Sequence, residues 1–289
     1  MFRCLITLLV ALSLTPALAR TLVVEGVVSP AWVERAGKRE PLTVGLQLTD
    51  KDKIITGERA RVMLRMSEGS AVKLGENATL ALDGLSEKKK TGNTAVVNAS
   101  LDVVKGAFRF TTGVFGKPSS ERDVNVKIAT ITAGIRGTDL WGRSTATEDL
   151  VCLLEGRISV RHGQQAFVMN EPLQFFVVPR NDKPKPITKA PQKQIDEWSL
   201  ETEITEGLGA VRAGGAWRLE VMRSADQSAA RALAGRLQDA GYPAVMVAVE
   251  TATGGAQYAV RVPGIATVKD GDALLSRLQT LLANPSRQP

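Results

Sequence analysis

The chain reads as an all-β, sandwich- or jelly-roll-like N-terminal domain followed by a small α+β domain, ferredoxin-like but incomplete. Three observations predict this. Between residues 21 and 179, short β-branched or alternating runs recur about every 8–12 residues, nearly all punctuated by Gly, Asn or Asp. Residues 180–194, "RNDKPKPITKAPQKQ", break that texture with proline and lysine. Beyond residue 216 the order becomes strand, helix, strand, strand, helix, most of a split β-α-β unit.

Residues 1–19, "MFRCLITLLVALSLTPALA", stand apart from the fold. Arg3 supplies a positive start, residues 4–14 are almost wholly apolar, Pro16 breaks a helix, and Ala17-Leu18-Ala19 is a small-x-small cleavage pattern. This is the signature of a secretory signal peptide cut after Ala19. Its apolar run is far shorter than the roughly 20 residues a spanning helix needs, and no membrane span is expected after cleavage. Cleavage removes Arg3 and Cys4, lowers the formal net charge of +7 by one, and leaves Cys152 as the sole cysteine. One cysteine forms no internal disulfide. In "LVCLLEG" it reads as a small core residue. The mild positive excess tilts encounters toward anionic surfaces such as wall polymers or lipid head groups without specifying a fold.

Within residues 20–180, "ARVMLRMS" places Val62, Leu64 and Met66 on one side and Arg61, Met63 and Arg65 on the other, so one face is at least half wet. Gly69 in "SEGSA" and Gly156 in "LEGRI" sit at tight turns that accept positive φ, and "LSEKKKTGNT" reads as a charged loop. "IATITAGIRGTDLW" reads as a strand, a sharp bend at Arg136-Gly137-Thr138, and a return strand. Two roles fit that step. Gly137 supplies a backbone angle while Arg136 pairs across the sheet and Thr138 satisfies a turn amide. Alternatively, Arg136 holds a ligand carboxylate or phosphate by its bidentate fork.

Residues 181–215 read as an exposed basic linker and an amphipathic helix. Ile195, Trp198, Ile204 and Leu208 share the helix's apolar stripe, which packs on a neighbouring domain. In residues 216–289, "AWRLEVMRS" alternates Trp217, Leu219 and Val221 against Arg218, Glu220 and Met222. Asp226 caps a helix whose buried stripe is Ala230, Leu233 and Leu237 and which ends at Gly241. Strands "YPAVMVAVE" and "QYAVRVPG" and a second helix, "KDGDALLSRLQTLLAN", complete the unit. Two helices cover one sheet face and leave the other bare. Arg218, Glu220 and Met222, with Ala259 and Arg261, are expected on that bare face, where charges beside an apolar spot suit a sugar chain.

Catalytic chemistry finds little support. The one histidine, His162, lies in the hairpin turn "RHG"; no His-Cys-Asp cluster has metal spacing, and no Ser or Cys has a histidine nearby in sequence. The expectation is a non-enzymatic protein with no catalytic residues, no metal and no cofactor.

Two families are resembled. "IITGERARVMLRMSEGSAVKLGE", "LDVVKGAFRF", "IATITAGIRGT" and "LVCLLEGRISV", over roughly residues 45–180, resemble the FecR-type periplasmic domain, with its threonine-glycine start, "DGS-x-V-x-L-G"-like turn, "RGT" step and "LEG-x-V" hairpin in order. Residues 216–283 resemble the SPOR domain, through the first strand, "AARALAGRLQDAGYPA" and "YAVRV". Glu220 and Met222 stand where that family usually has Gln and Gly, and Pro263-Gly264-Ile265 stands where it expects Gly-Pro-Phe. A fourth strand is not expected in "NPSRQP", which would leave residues 217–222 as an open edge for the 195–210 helix, or a partner's strand, to cover.

The resemblances imply an exported, periplasmic envelope protein that binds peptidoglycan glycan strands lacking stem peptides through Arg218, Glu220, Met222 and Arg261. Its FecR-like domain would meet a protein or glycan partner, and no nucleic acid is expected. The alternative they imply is a periplasmic sensory or regulatory subunit that binds a protein and not glycan.

Overall fold

A computed structural model describes residues 22–89, 95–113, 121–135, 137–251 and 255–283. The expected signal peptide and Arg136 lie outside the described residues. The first unit contains β1 (Leu22–Val28), β2 (Ala31–Arg35), β3 (Lys38–Pro41), β4 (Gln47–Leu48), β5 (Lys53–Thr56), β6 (Arg61–Met66), β7 (Ala71–Leu74), β8 (Thr79–Lys89), β9 (Ala95–Thr111), β10 (Glu121–Ile128), β11 (Ile131–Ile135), β12 (Asp139–Ser144), β13 (Glu148–Glu155), β14 (Ile158–His162), β15 (Gln165–Met169), β16 (Gln174–Pro179) and β17 (Thr188–Lys189).

These strands form two sheets. One runs β1-β6-β7-β9-β12-β13-β16-β17 with antiparallel neighbours throughout. The other runs β3-β2-β5-β8-β9-β10-β11-β14-β15, in which β9 and β10 are parallel. Strand β9 belongs to both: Lys105 pairs with Thr79 in the second sheet, and Gly106 pairs with Ser144 in the first. Gly106 makes this passage at φ 89, packed so closely on Ala78 that a Cβ would collide. Between the sheets lie Leu64, Leu80, Leu101, Phe108, Phe110, Val126 and their neighbours, so the sandwich form of the all-β domain is the one observed.

The alternation in β6 holds: Val62, Leu64 and Met66 are buried while Arg61, Met63 and Arg65 are half-exposed. The "charged loop" at residues 85–94 is corrected in part. Strand β8 continues to Lys89 against β9, because cross-strand pairing extends through Lys89↔Ala95. The β2–β3 hairpin was not singled out in the sequence, since "ERAGKRE" carries no hydrophobic alternation.

The exposed-linker reading of residues 180–194 is corrected in part: residues 181–189 are mostly exposed, but the stretch is paired rather than slack, and the helix after it packs on the sandwich as expected. This segment is strapped to the sandwich. Strand β17 pairs with β16, and α1 (Gln192–Leu200) buries Ile195 and Trp198 beside Trp141, Leu150, Cys152 and Val177. The helix is shorter than its apolar stripe implied, so Ile204 and Leu208 lie beyond it. After it, Glu201 pairs with Arg143 at 2.9 Å, and Glu203 holds Lys73 at 2.5 Å and Arg109 at 2.9 Å. Prolines and lysines give the segment a linker's composition, while one aromatic anchor, one aliphatic anchor and two acids decide its course.

Strand β18 (Ala210–Arg212) then pairs with β1 on one side and, through Val211↔Ile265, with β21 on the other. The second unit follows: β19 (Trp217–Ser224), α2 (Gln227–Asp239), β20 (Val245–Glu250), β21 (Ala256–Ile265) and α3 (Val268–Ala283). Asp226 caps α2, its side chain accepting from the amides of Ser228 and Ala229, and Gly241 ends the helix at φ 81. Strand β21 is central, between β19 and β20. The helices bury Ala230, Leu233, Leu237, Leu274 and Leu278 against Val260, Val262 and Ile265.

Contacts between the units come from the helical side. Ala31 N donates to Gly241 O at 3.0 Å, Trp32 Nε1 to Asp239 O at 3.1 Å, and Arg277 to Ser29 O at 2.9 Å. Asp270, buried at the start of α3, accepts from the amides of Gly207, Gly209 and Ala210 and from the Thr267 hydroxyl.

Candidate functional site

The bare face of the second unit is built by the strand alternation of β19, β21 and β20. In β21, Val260 and Val262 enter the helix-backed core, so Arg261 and Ala259 lie on the opposite face. Glu220 of β19 and Val245 of β20 flank Arg261 in register, and Arg223 and Val247 flank Ala259. Arg218 opposes Pro263. None of the contacts to the sandwich described above involves these residues; Val245 is 40% exposed, and Arg218 is exposed.

Of the residues expected here, Arg218, Glu220 and Arg261 are brought together. Met222 is corrected: it packs, half-buried, against the helix-backed cluster. The reason is a β-bulge between Glu220 and Met222, which inserts Val221 and reverses the alternation beyond it. The bulge puts Arg223 on the open face in its place. Ala259 faces this side but is covered by its neighbours.

Glu220 is the hub of the charge arrangement. Arg223 donates to both of its oxygens at 2.7 and 2.8 Å, and Arg261 Nε donates at 3.0 Å. These partners, Arg223 foremost, pull its pKa down from 4.5 to about 2, so it is ionised wherever the protein is folded near neutrality. Two guanidinium groups thus hold one carboxylate beside two valines, and Arg218 lies further along the same strand opposite Pro263. At the end of the strand Trp217 leaves an indole 56% exposed. The valines, Arg223 and Trp217 were missed in sequence because the bulge and the partner strand select them, and neither has a composition signal.

Strand β19 has β21 as its only ladder partner among the described residues. The expected covering helix is absent from that edge, because α1 is held on the sandwich by Trp141. The edge carries two irregularities, at Trp217/Arg218 and Glu220/Met222, and alternating charges, which blunt it against strand addition.

Of the Arg136-Gly137-Thr138 step, Gly137 and Thr138 are described, and they lead into β12 after β11 of the other sheet. Gly137 has φ 68. Thr138, buried, donates its hydroxyl to Arg157 O at 2.8 Å, so it satisfies a carbonyl and not the turn amide expected; its own amide donates to Thr112 Oγ1 at 2.9 Å. Arg157 belongs to the reverse crossing from β13 to β14, where Gly156 packs on Gly137. The two crossings brace each other at the sandwich corner.

Cys152 is fully buried, and burial pushes its thiol up to about 12, which leaves no nucleophilic thiolate at neutral pH. His162 Nδ1 lies 3.2 Å from Thr130 O, with the ring edge-on to Phe176. Among the described residues there is no group of three His, Cys, Asp or Glu placed to hold a metal, and no helix is long and apolar enough to cross a membrane. A cavity of about 560 Å³ opens where the β2–β3 hairpin meets α2, lined by residues that include Arg35, Lys38, Glu40, Thr43, Leu46 and Gln238.

A β-sandwich joined by a hydrogen-bonded strand to a helix-backed, three-stranded sheet defines a two-module protein. Residues 52–159 match the FecR protein family and residues 213–287 match the SPOR domain, so the chain carries both modules. Both are families of binding modules, not of enzymes, and both are typical of the cell envelope. No curated protein matches the chain. Two crystal structures of a "putative anti-sigma factor" from Parabacteroides distasonis are similar at 12% and 11% identity, each with a TM-score of 0.40. They cover 64% and 63% of this chain and 73% and 72% of their own.

Proposed function

We propose that the protein is a non-catalytic periplasmic component that lays a peptidoglycan glycan strand along the open face of β19, β21 and β20. The observation that carries this reading is the pair Arg223 and Arg261 on a single carboxylate, with Arg218 exposed further along the same strand and Val245 and Val247 beside them. Sugar rings offer apolar faces to the valines and hydroxyls to the charged groups. A strand lacking stem peptides also exposes the lactyl carboxylate of each muramic acid, whereas a stem peptide converts that group into a neutral amide. A face with surplus guanidinium charge therefore favours the denuded strand. The FecR module would present the sandwich, and the cavity at its β2–β3 hairpin, to a second envelope partner of protein or glycan nature. The FecR match also supports a second reading, in which the chain is a regulatory subunit whose partner is a protein alone.

Sedimentation with purified peptidoglycan, with and without stem peptides, tests the first reading. Wild-type protein is expected to sediment with denuded strands. Arg218→Ala with Arg261→Ala is expected to weaken this at least tenfold, since each charge-assisted hydrogen bond contributes on the order of 1.5 kcal/mol. Equal sedimentation of wild type and double variant would overturn the face assignment. No sedimentation in either sample would leave the protein-partner reading, and muropeptide release would point to an enzyme.

A further inference from the structure

The seam between the two modules collects positive charge that no ion pair neutralises among the described residues. Val28 opposes Arg61 across the β1–β6 ladder, which puts the turn after Val28 beside Arg61. Gly57 N donates to Pro30 O at 2.9 Å, which brings the 57–60 turn and Arg59 to the same place. From the other module, α3 delivers Arg277, whose Nη1 donates to Ser29 O at 2.9 Å. The Arg277 guanidinium and the backbone at Arg59 and Arg61 therefore converge on the turn at Ser29.

Their hydrogen bonding is incomplete. Arg61 Nη1 donates to the adjacent Ala60 carbonyl at 2.8 Å, while its buried Nε has no partner. Ser29 is 2% exposed, and its Oγ also has none. Two carboxylates reach Arg61 with their fields: Glu201, which pairs with Arg143 at 2.9 Å, and Glu76, which accepts from the Arg59 amide at 2.6 Å and so stands at the seam itself. Burial holds Arg277 below its ordinary value, and the charges of Arg59 and Arg61 push the same way. Arg59 holds a left-handed backbone at φ 57, a conformation that favours glycine or asparagine over arginine. Three guanidinium groups against the one seam carboxylate of Glu76 leave positive charge in surplus, with Arg61 and Arg277 half-buried, and an anion among them reduces the cost of that surplus.

We propose that this seam is an oxyanion site, in which a carboxylate or phosphate group binds the forks of Arg59, Arg61 and Arg277 between the modules and fixes their docking. It is separate from the glycan face, and its residues are not those of the face.

The test is thermal unfolding of the full chain at constant ionic strength, titrated with inorganic phosphate, with N-acetylmuramic acid, and with N-acetylglucosamine as the uncharged control against sodium chloride. The expected result is a saturable rise in Tm with at least one anion and none with the neutral sugar. A response to the muramic acid identifies a wall carboxylate as the source. A response confined to phosphate identifies a phosphate, free or on a lipid head group. Arg59→Gln, at an exposed side chain that makes no hydrogen bond among the described residues, is expected to abolish the saturable rise. Arg277→Lys keeps the charge without the fork and is expected to weaken it about tenfold. Arg261→Gln, on the open face, is expected to leave it unchanged, which separates this site from the glycan reading. No saturable rise with either anion, or a rise that chloride reproduces, that the neutral sugar reproduces, or that survives in Arg59→Gln, would overturn the proposal.

Discussion

Trp198 lies on Trp141 with ring planes 1° from parallel and centroids 4.9 Å apart, and Phe175 meets Trp198 edge-on at 6.0 Å. Trp141 comes from a sandwich strand and Trp198 from the segment joining the modules, so this stack turns a connector into part of the fold. Trp198→Ala is expected to lower stability by about 3–5 kcal/mol, as removal of a buried tryptophan does. Urea unfolding with limited proteolysis of residues 181–215 checks it. A loss under about 1 kcal/mol, with the segment still protected, would show that the acids and β17 hold the strap without the ring.

Asp270 ties α3 to the loop before β18, and its acid response has a defined sign. Burial alone would raise its pKa, but the amides of Ala210, Gly209 and Gly207 and the Thr267 hydroxyl hold it below the ordinary 3.8. A depressed carboxyl contributes stability that is full above its unfolded value and is lost as pH falls through the folded one. The wild type should therefore lose stability below about pH 4, whereas Asp270→Asn should be weaker by about 1–3 kcal/mol at neutral pH and should lose less across that acid window, keeping only the share of other low carboxyls such as Asp52 and Glu220. Denaturation midpoints at a series of pH values give the comparison.

Two glycines at the sandwich corner should differ in tolerance. Gly137 has open space where a Cβ would stand, so Gly137→Ala should cost about 1–2 kcal/mol for the left-handed backbone alone. At Gly156 a Cβ would collide with the Gly137 carbonyl oxygen at φ 89, so Gly156→Ala should cost more. Equal losses in Tm would mean that the two crossings are not packed as described.

Glu220 makes the open face insensitive to mild acid. Its folded pKa of about 2, set mainly by Arg223, keeps the Arg223–Glu220–Arg261 arrangement charged at pH 4.5 as at pH 7. Any glycan affinity at this face should not change between those values through Glu220. Glu220→Gln frees both arginines and should strengthen binding to denuded strands. A carboxyl NMR titration of Glu220, alongside binding at both pH values, decides the point.

The sequence made the sandwich legible because Gly-punctuated alternation survives in nearly every strand: Val62, Leu64 and Met66 are as buried as their period demands. It made the second module legible through the Asp226 cap, the Ala230–Leu233–Leu237 stripe and Gly241. Composition failed where a few side chains outweigh it. Ile195 and Trp198 pin down a stretch that prolines and lysines mark as free. Register failed at the Val221 bulge, because one inserted residue exchanges Met222 for Arg223 on the open face and leaves no mark in the residue types. Arg277 of the seam is too far in the chain from Arg59 and Arg61 for any motif to join them.

Strand β18 is gripped on both edges, by β1 of one module and β21 of the other. Pull applied to the three-stranded sheet would reach the sandwich as shear along these ladders, not as tension in a slack connector. The molecule is thus built as a bracket: whatever lies along its outer sheet is held at a set angle and distance from whatever the sandwich grips.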